Sequence, residues 1–195
     1  VLARALSLNT CITSLNLYCS SLGAAGACVL FPALTHLTAM TYLDLGFTSL
    51  GSSGALHLCS ALTHLTAMTE LHLFNNQLTA DDGARICGAA AAAGMTRLQT
   101  LYLADGFTCS DVVGCGAWRQ LNLPQPPDEI VRKCTSGYGF SVDVAPLVSY
   151  LLSDDKVSCH AIRIFVVGDS TVRPPHPSLT PLFYCLSVMC FPSFF

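Results

Sequence analysis

The nonapeptide ALTHLTAMT occurs twice without change, at residues 33–41 and 61–69, 28 residues apart. Self-similarity at that distance restricts a chain to architectures assembled from one repeated unit, because a single strand and helix cannot bury their apolar sides alone. The register extends beyond the duplicate. Ile12, Leu15, Leu17 and Leu22 form one set, Met40, Leu43, Leu45 and Leu50 the next, and Met68, Leu71, Leu73 and Leu78 a third. A fourth begins at Leu98, Leu101 and Leu103, with Thr108 in the place of the last leucine. The step from Leu15 to Leu43 to Leu71 is 28 residues each time and lengthens to 30 at Leu101. The opening VLARALSLN aligns with HLCSALTHL at 57–65, so the chain is expected to start inside an earlier unit and to be a fragment or an incomplete gene model.

Each unit reads as a strand followed by a helix. Leu-x-Leu has the period of two that sends both leucines to one side of a strand. Segments 26–38, 54–66 and 83–94 carry alanine and leucine at helical spacing, opened by Gly26, Gly54 and Gly83. The alanine run at 89–93 favours helix and ends at Gly94. Three residues beyond the second strand leucine stand Ser20, Thr48, Asn76 and Gly106, where a small polar side chain can satisfy the backbone of a buried turn. His36 and His64 recur with the period and are read as structural helix residues rather than ligands.

The L-x-x-L-x-L pattern, with a helix in every unit, resembles the ribonuclease-inhibitor-like class of leucine-rich repeats over about residues 1–115. The resemblance implies an α/β fold, a right-handed leucine-rich-repeat solenoid of about four coils whose strands line a concave wall. Its solvent-facing positions would be Ser14, Asn16 and Tyr18; Tyr42, Asp44 and Gly46; Glu70, His72 and Phe74; Thr100, Tyr102 and Ala104. Tyr18, Tyr42, Phe74 and Tyr102 supply the aromatic anchors that dominate protein interfaces, Asp44 and Glu70 make the wall mildly acidic, and His72 lies among them. Another protein is the partner expected there, with no cofactor, metal or small-molecule substrate.

Composition narrows the alternatives. Only 11% of residues are charged, the formal net charge is −3, and no run of Lys or Arg occurs, which argues against nucleic acid. Eleven cysteines stand singly, with no Cys-x-x-Cys and no visible signal peptide. Reduced thiols in a cytoplasmic protein are expected, most of them small buried hydrophobes. Cys159 and His160 are adjacent, so on a strand they would point to opposite faces and form no pair.

The pattern fades after Cys109. Residues 116–160 read as a Pro-rich, then helical linker, with a helix start at Pro127 and Asp128 and a second helix within 143–154 capped by Asp143. Then AIRIFVVGDSTV suits a buried parallel strand ending at glycine. A phosphate loop needs G-x-x-x-x-G-K-[ST]. Gly168, Asp169, Ser170, Thr171 and Val172 fit its first five positions, but Arg173, Pro174 and Pro175 stand where glycine, lysine and the Mg²⁺-binding hydroxyl belong. Proline offers neither charge nor N–H.

Repeats, then LPQPPDEIV, then a helix with YLL, then IRIFVVGDSTV together resemble the Roco proteins, in which leucine-rich repeats are linked to a Ras-like GTPase domain called Roc. The likeness implies that 161–172 is the first Roc strand and part of its phosphate loop. With lysine and hydroxyl missing, GTPase activity does not carry over. A non-catalytic interaction module from a Roco-like signalling protein is expected, the alternative being a GTP-binding protein with an interrupted loop. Residues 173–195 read as sequence foreign to the family, disordered and apolar. Pro181 and Pro192 break the tail, which is short of the roughly 20 residues a membrane span requires.

Overall fold

In a computed structural model the described residues are 2–103, 106–134 and 142–153, with the backbone of 164–166 and 188–190. The chain divides into two compact units, Val1–Val157 and Ser158–Phe195.

The first unit alternates helix and strand: α1 Leu2–Leu8, β1 Ser14–Asn16, α2 Gly23–Leu34, β2 Tyr42–Asp44, α3 Gly51–Leu62, β3 Glu70–His72, α4 Ala80–Ala92 and β4 Thr100–Leu103. Short elements follow: α5 Cys109–Gly114, α6 Gly116–Gln120, α7 Asp128–Lys133, β5 Val142–Asp143 and α8 Ala145–Leu151. Strands β1 to β4 pair in parallel, with Leu15 opposite Leu43, Leu43 opposite Leu71 and Leu71 opposite Leu101. The 28-residue period therefore appears as strand register. Leu43, Leu45, Leu71, Leu73, Leu101 and Leu103 are completely buried. Helices α1 to α4 pack side by side, and Leu30, Phe31, Leu34, Leu58 and Leu62 contribute their apolar sides to the same core.

Backbone contacts recur at the same step. The N–H and hydroxyl of Thr41 donate to the Thr13 carbonyl, and those of Thr69 donate to the Thr41 carbonyl. The turns after the strands hold left-handed residues in register: Cys19, Phe47 and Asn75, then Ser21, Ser49 and Gln77, all with φ between 48° and 59°. Few L-residues adopt this region, so the turn shape is imposed by the neighbouring turns. Asn76 fills the buried space within. Its Nδ2 donates to the carbonyls of Leu45 (2.7 Å) and Leu73 (2.9 Å), and its Oδ1 accepts from the N–H groups of Thr48 (3.1 Å) and Leu50 (3.2 Å).

The helices begin three residues before the expected glycines. Gly23 and Gly51 have φ of 63° and 59°, and their N–H groups donate to the carbonyls of Thr48 and Asn76 in the next turn. The third unit uses Thr79 instead, whose hydroxyl caps the Asp82 N–H while the Asp82 carboxylate returns to the Thr79 N–H. Gly26 and Gly54 lie inside their helices because leucine packs there: an added Cβ would stand 2.6 Å from Leu22 Cδ1 and 2.9 Å from Leu50 Cβ. His36 and His64 sit in the turns just beyond α2 and α3, exposed, rather than in the helices.

The expected right-handed leucine-rich-repeat solenoid, followed by a helical linker and an orphan strand, is corrected. The first unit is a mixed α/β structure with eight helices among the described residues and one five-stranded, mostly parallel sheet in the order β1-β2-β3-β4-β5. Strand β5 comes from the segment read as linker and pairs antiparallel with β4, Tyr102 opposite Asp143 and Leu103 opposite Val142. An open β4 edge would expose a row of unpaired backbone groups. Asp143 covers it: its Oδ1 accepts from the N–H of Leu101 (2.9 Å) and of Ala145 (3.0 Å), so one carboxylate joins the sheet edge to the start of α8. Trp118, Leu123, Val144, Leu147 and Leu151 are buried in the same unit.

In the second unit, β6 Ile164–Val166 is not an orphan. It pairs antiparallel with β7 Val188–Cys190, from the tail expected to be disordered. The phosphate-loop positions Gly168, Asp169, Ser170, Thr171 and Val172, as well as Cys159 and His160, lie outside the described residues. Among the described residues, no helix is long and apolar enough to cross a membrane.

Candidate interaction surface

Alternation along β1 to β4 sends the leucines into the core and the intervening residues to the opposite face. Register then sets side by side the residues that share a step of the period. On that face the rings form a connected cluster. Tyr18 lies 5.4 Å from Phe47 and 6.1 Å from Phe74, and Phe47 lies 5.9 Å from Phe74. Phe74 leads on to His72 at 6.2 Å, which contacts Tyr42 at 5.3 Å and Tyr102 at 5.0 Å. Edge-to-face and tilted geometries of this kind are the favourable arrangements for aromatic rings.

The sequence reading therefore names residues that come together: Tyr18, Tyr42, Asp44, Glu70, His72, Phe74 and Tyr102 all stand in or beside this cluster. Two expectations need correction. Asp44 is not solvent-facing but only 6% exposed. Its Oδ1 accepts from the Gly46 N–H at 2.9 Å and its Oδ2 from the Tyr42 hydroxyl at 3.4 Å, because the chain turns sharply after β2. Gly46 is likewise buried, covered by two rings. A Cβ there would stand 2.8 Å from Phe74 Cζ and 3.1 Å from Tyr18 Cδ2, so the absence of a side chain forms the floor of the cluster. Ala104 lies outside the described residues.

Phe47 was not anticipated, since a turn residue has no place in a period-two reading. The signal was nevertheless present, a large apolar residue where the equivalent positions hold Cys19 and Asn75. Phe47 has φ of 56° and is 44% exposed; Tyr18 beside it is 47% exposed. A bulky residue in that backbone region costs on the order of 1 kcal/mol or more, and much of its ring still faces water.

His72 occupies the centre. Its Nδ1 lies 3.9 Å from Asp44 Oδ2 and its Nε2 lies 3.7 Å from Glu70 Oε2, with the imidazole side chain 13% exposed and Glu70 46% exposed. These contacts become ion pairs when the ring is protonated. Nε2 is buried and has no hydrogen-bond partner among the described residues. A hydrogen bond with the Cys19 thiol raises the Tyr18 phenol above its ordinary value, so Tyr18 presents a neutral hydroxyl. No lysine or arginine occupies any strand position of this face. The arrangement offers aromatic ring faces beside the half-exposed Glu70 carboxylate, which is chemistry suited to meeting a cationic group. Among the described residues, no three His, Cys, Asp or Glu side chains are grouped to hold a metal.

No family model, curated protein or solved structure matches the chain.

Proposed function

We propose that the chain is a non-catalytic protein-binding module whose sheet face receives a partner segment bearing a lysine or arginine among apolar residues. The observation that carries this reading is the joining of Tyr18, Phe47 and Phe74, two of them nearly half exposed, to a histidine flanked by two carboxylates. An exposed aromatic patch beside the half-exposed Glu70 carboxylate fits a cationic side chain both by ring-face attraction and by charge complementarity. The exposure of the Phe47 ring, 44%, supports the same reading, because an apolar ring left in water at a turn adds little to the core and is free to meet a partner. On this reading the leucine-rich-repeat resemblance describes the scaffold's ancestry. The sequence order of repeats, LPQPPDEIV and IRIFVVGDSTV supports reading the chain as related to the Roco signalling proteins.

Selection of a random peptide display library on the immobilised chain tests the proposal. Recovered peptides should be enriched in Arg and Lys, and should lose binding to the Glu70→Lys and Phe74→Ala variants. Recovery of acidic or uncharged sequences, or of peptides that bind both variants as well as the parent, would refute it.

A further inference from the structure

His72 stands within the ring cluster with a carboxylate oxygen near each ring nitrogen. Nδ1 lies 3.9 Å from Asp44 Oδ2, and Nε2 lies 3.7 Å from Glu70 Oε2. Both separations are too long for hydrogen bonds but within ion-pair range. Nε2 is buried and has no hydrogen-bond partner among the described residues. We propose that His72 is a proton-operated switch of this face, which on protonation draws the Glu70 carboxylate onto Nε2 and withdraws it from a cationic partner. The effect on a partner rests on the cation-binding reading above; the pairing of His72 with Glu70 does not.

The two carboxylates are held differently, and the difference assigns the moving part. Asp44 is 6% exposed, and its oxygens already accept from the Gly46 N–H at 2.9 Å and the Tyr42 hydroxyl at 3.4 Å. It stays in place in both states. The Glu70 side chain is 46% exposed and accepts no hydrogen bond among the described residues. Glu70 and His72 are two residues apart on β3, so they share one face of the strand. Rotation about the bonds of Glu70 is enough to shorten the gap to about 2.8 Å, the usual length of a charged N–H···O bond.

Among the described residues, the other titratable groups facing the ring are Tyr42 on β2 and Tyr102 on β4, whose rings lie 5.3 and 5.0 Å from the imidazole. Asp143 on β5, opposite Tyr102, is engaged by the N–H groups of Leu101 and Ala145. No lysine or arginine on the strands competes with the ring for Glu70. Imidazole ordinarily changes charge between pH 5 and 8, where carboxylates are ordinarily ionised. The added proton puts an N–H on both nitrogens, so the buried Nε2 gains a donor aimed at Glu70. On the alkaline side of the change, Glu70 is free to meet a lysine or arginine side chain. On the acid side the imidazolium occupies Glu70 and repels the incoming cation.

The test uses the full chain, isotopically labelled for NMR, with Nα-acetyl-arginine amide as the probe. Between pH 8 and pH 5.5 the carboxyl carbon signal of Glu70 should move further in the parent than in His72→Gln, or in His72→Asn should the glutamine variant fold poorly. The probe, followed through the ring signals of Tyr18, Phe47 and Phe74, should bind the parent about three- to fivefold more weakly at pH 5.5, the scale of one half-exposed ion pair. Its affinity for the His72 variant should not change with pH. Equal movement of the Glu70 signal in parent and variant overturns the switch, and so does a probe affinity that keeps its pH dependence in the variant. Movement of Glu70 that requires His72, with the probe bound at neither pH, upholds the switch and refutes the cation-binding reading instead.

Discussion

Replacing Asn76 by alanine isolates the interaction that joins two successive turns. The side chain is fully buried. Its loss removes a partner from the N–H groups of Thr48 and Leu50 and from the Leu73 carbonyl, at distances of 3.1, 3.2 and 2.9 Å. The Leu45 carbonyl also loses a donor but keeps the Thr48 hydroxyl at 2.7 Å. A buried polar group left without its partner costs about 1–3 kcal/mol, and water entering the vacated space recovers part of that. At about 1 kcal/mol for each of the three groups, Asn76→Ala should lower stability by about 3 kcal/mol. The thermal midpoint should fall by about 6–12 °C, given roughly 2–4 °C per kcal/mol at this size. Urea unfolding followed by circular dichroism should show a lower midpoint with an unchanged slope. Asn76→Asp sharpens the test. It keeps Oδ1 but turns a negative oxygen towards the Leu45 and Leu73 carbonyls, so it should be at least as damaging at pH 7. It should recover part of the loss as pH falls and the carboxyl, once protonated, donates again. An alanine variant within about 0.5 kcal/mol of the parent, the range of ordinary surface substitutions, would refute the assignment of Asn76 as the link between turns.

Gly46→Ala should displace the Phe74 and Tyr18 rings that stand 2.8 and 3.1 Å from the new Cβ. At about 0.5–1.5 kcal/mol for an aromatic pair, fluorescence anisotropy should show peptide affinity falling roughly two- to tenfold while the urea midpoint moves little. Iodoacetamide at pH 8 should label Cys11, Cys19 and Cys28, which are exposed, and spare Cys59, whose thiol burial pushes up to about 12, and Cys87, which burial raises further; peptide mapping reads this directly, and denaturation should make all of them react. Asp81 and Asp111 are held below their ordinary value of 3.8 by hydrogen bonds from the N–H groups of Ala117 and Thr108. A carboxylate depressed in the folded state contributes stability above its unfolded value that is lost as pH falls through the folded one. Urea midpoints should therefore decline below about pH 4, and less steeply in Asp111→Asn.

Much of the face was legible before any coordinates. A period of 28 and alternation along Leu-x-Leu suffice to say that Tyr42, Glu70 and Thr100 share a row, as do Asp44, His72 and Tyr102. The helix boundaries were displaced by three residues because Gly26 and Gly54 read as punctuation, whereas each is a gap into which Leu22 or Leu50 packs. The role of Asp143 as a helix cap was visible from its position, but its second partner was not. That partner, Leu101, is 42 residues away, and nothing local marks the contact.

What the sequence determines alone is the spacing. Leucines recurring in step must face one another across parallel strands, since no other register buries them together. What only the tertiary structure decides is where unlike segments meet. The antiparallel closure of the sheet by β5 and the burial of Trp118, Leu123, Val144 and Leu147 beyond the last repeated strand depend on contacts between residues that share no period. Such contacts form because the assembled core brings their backbones together, and chain order carries no trace of that approach.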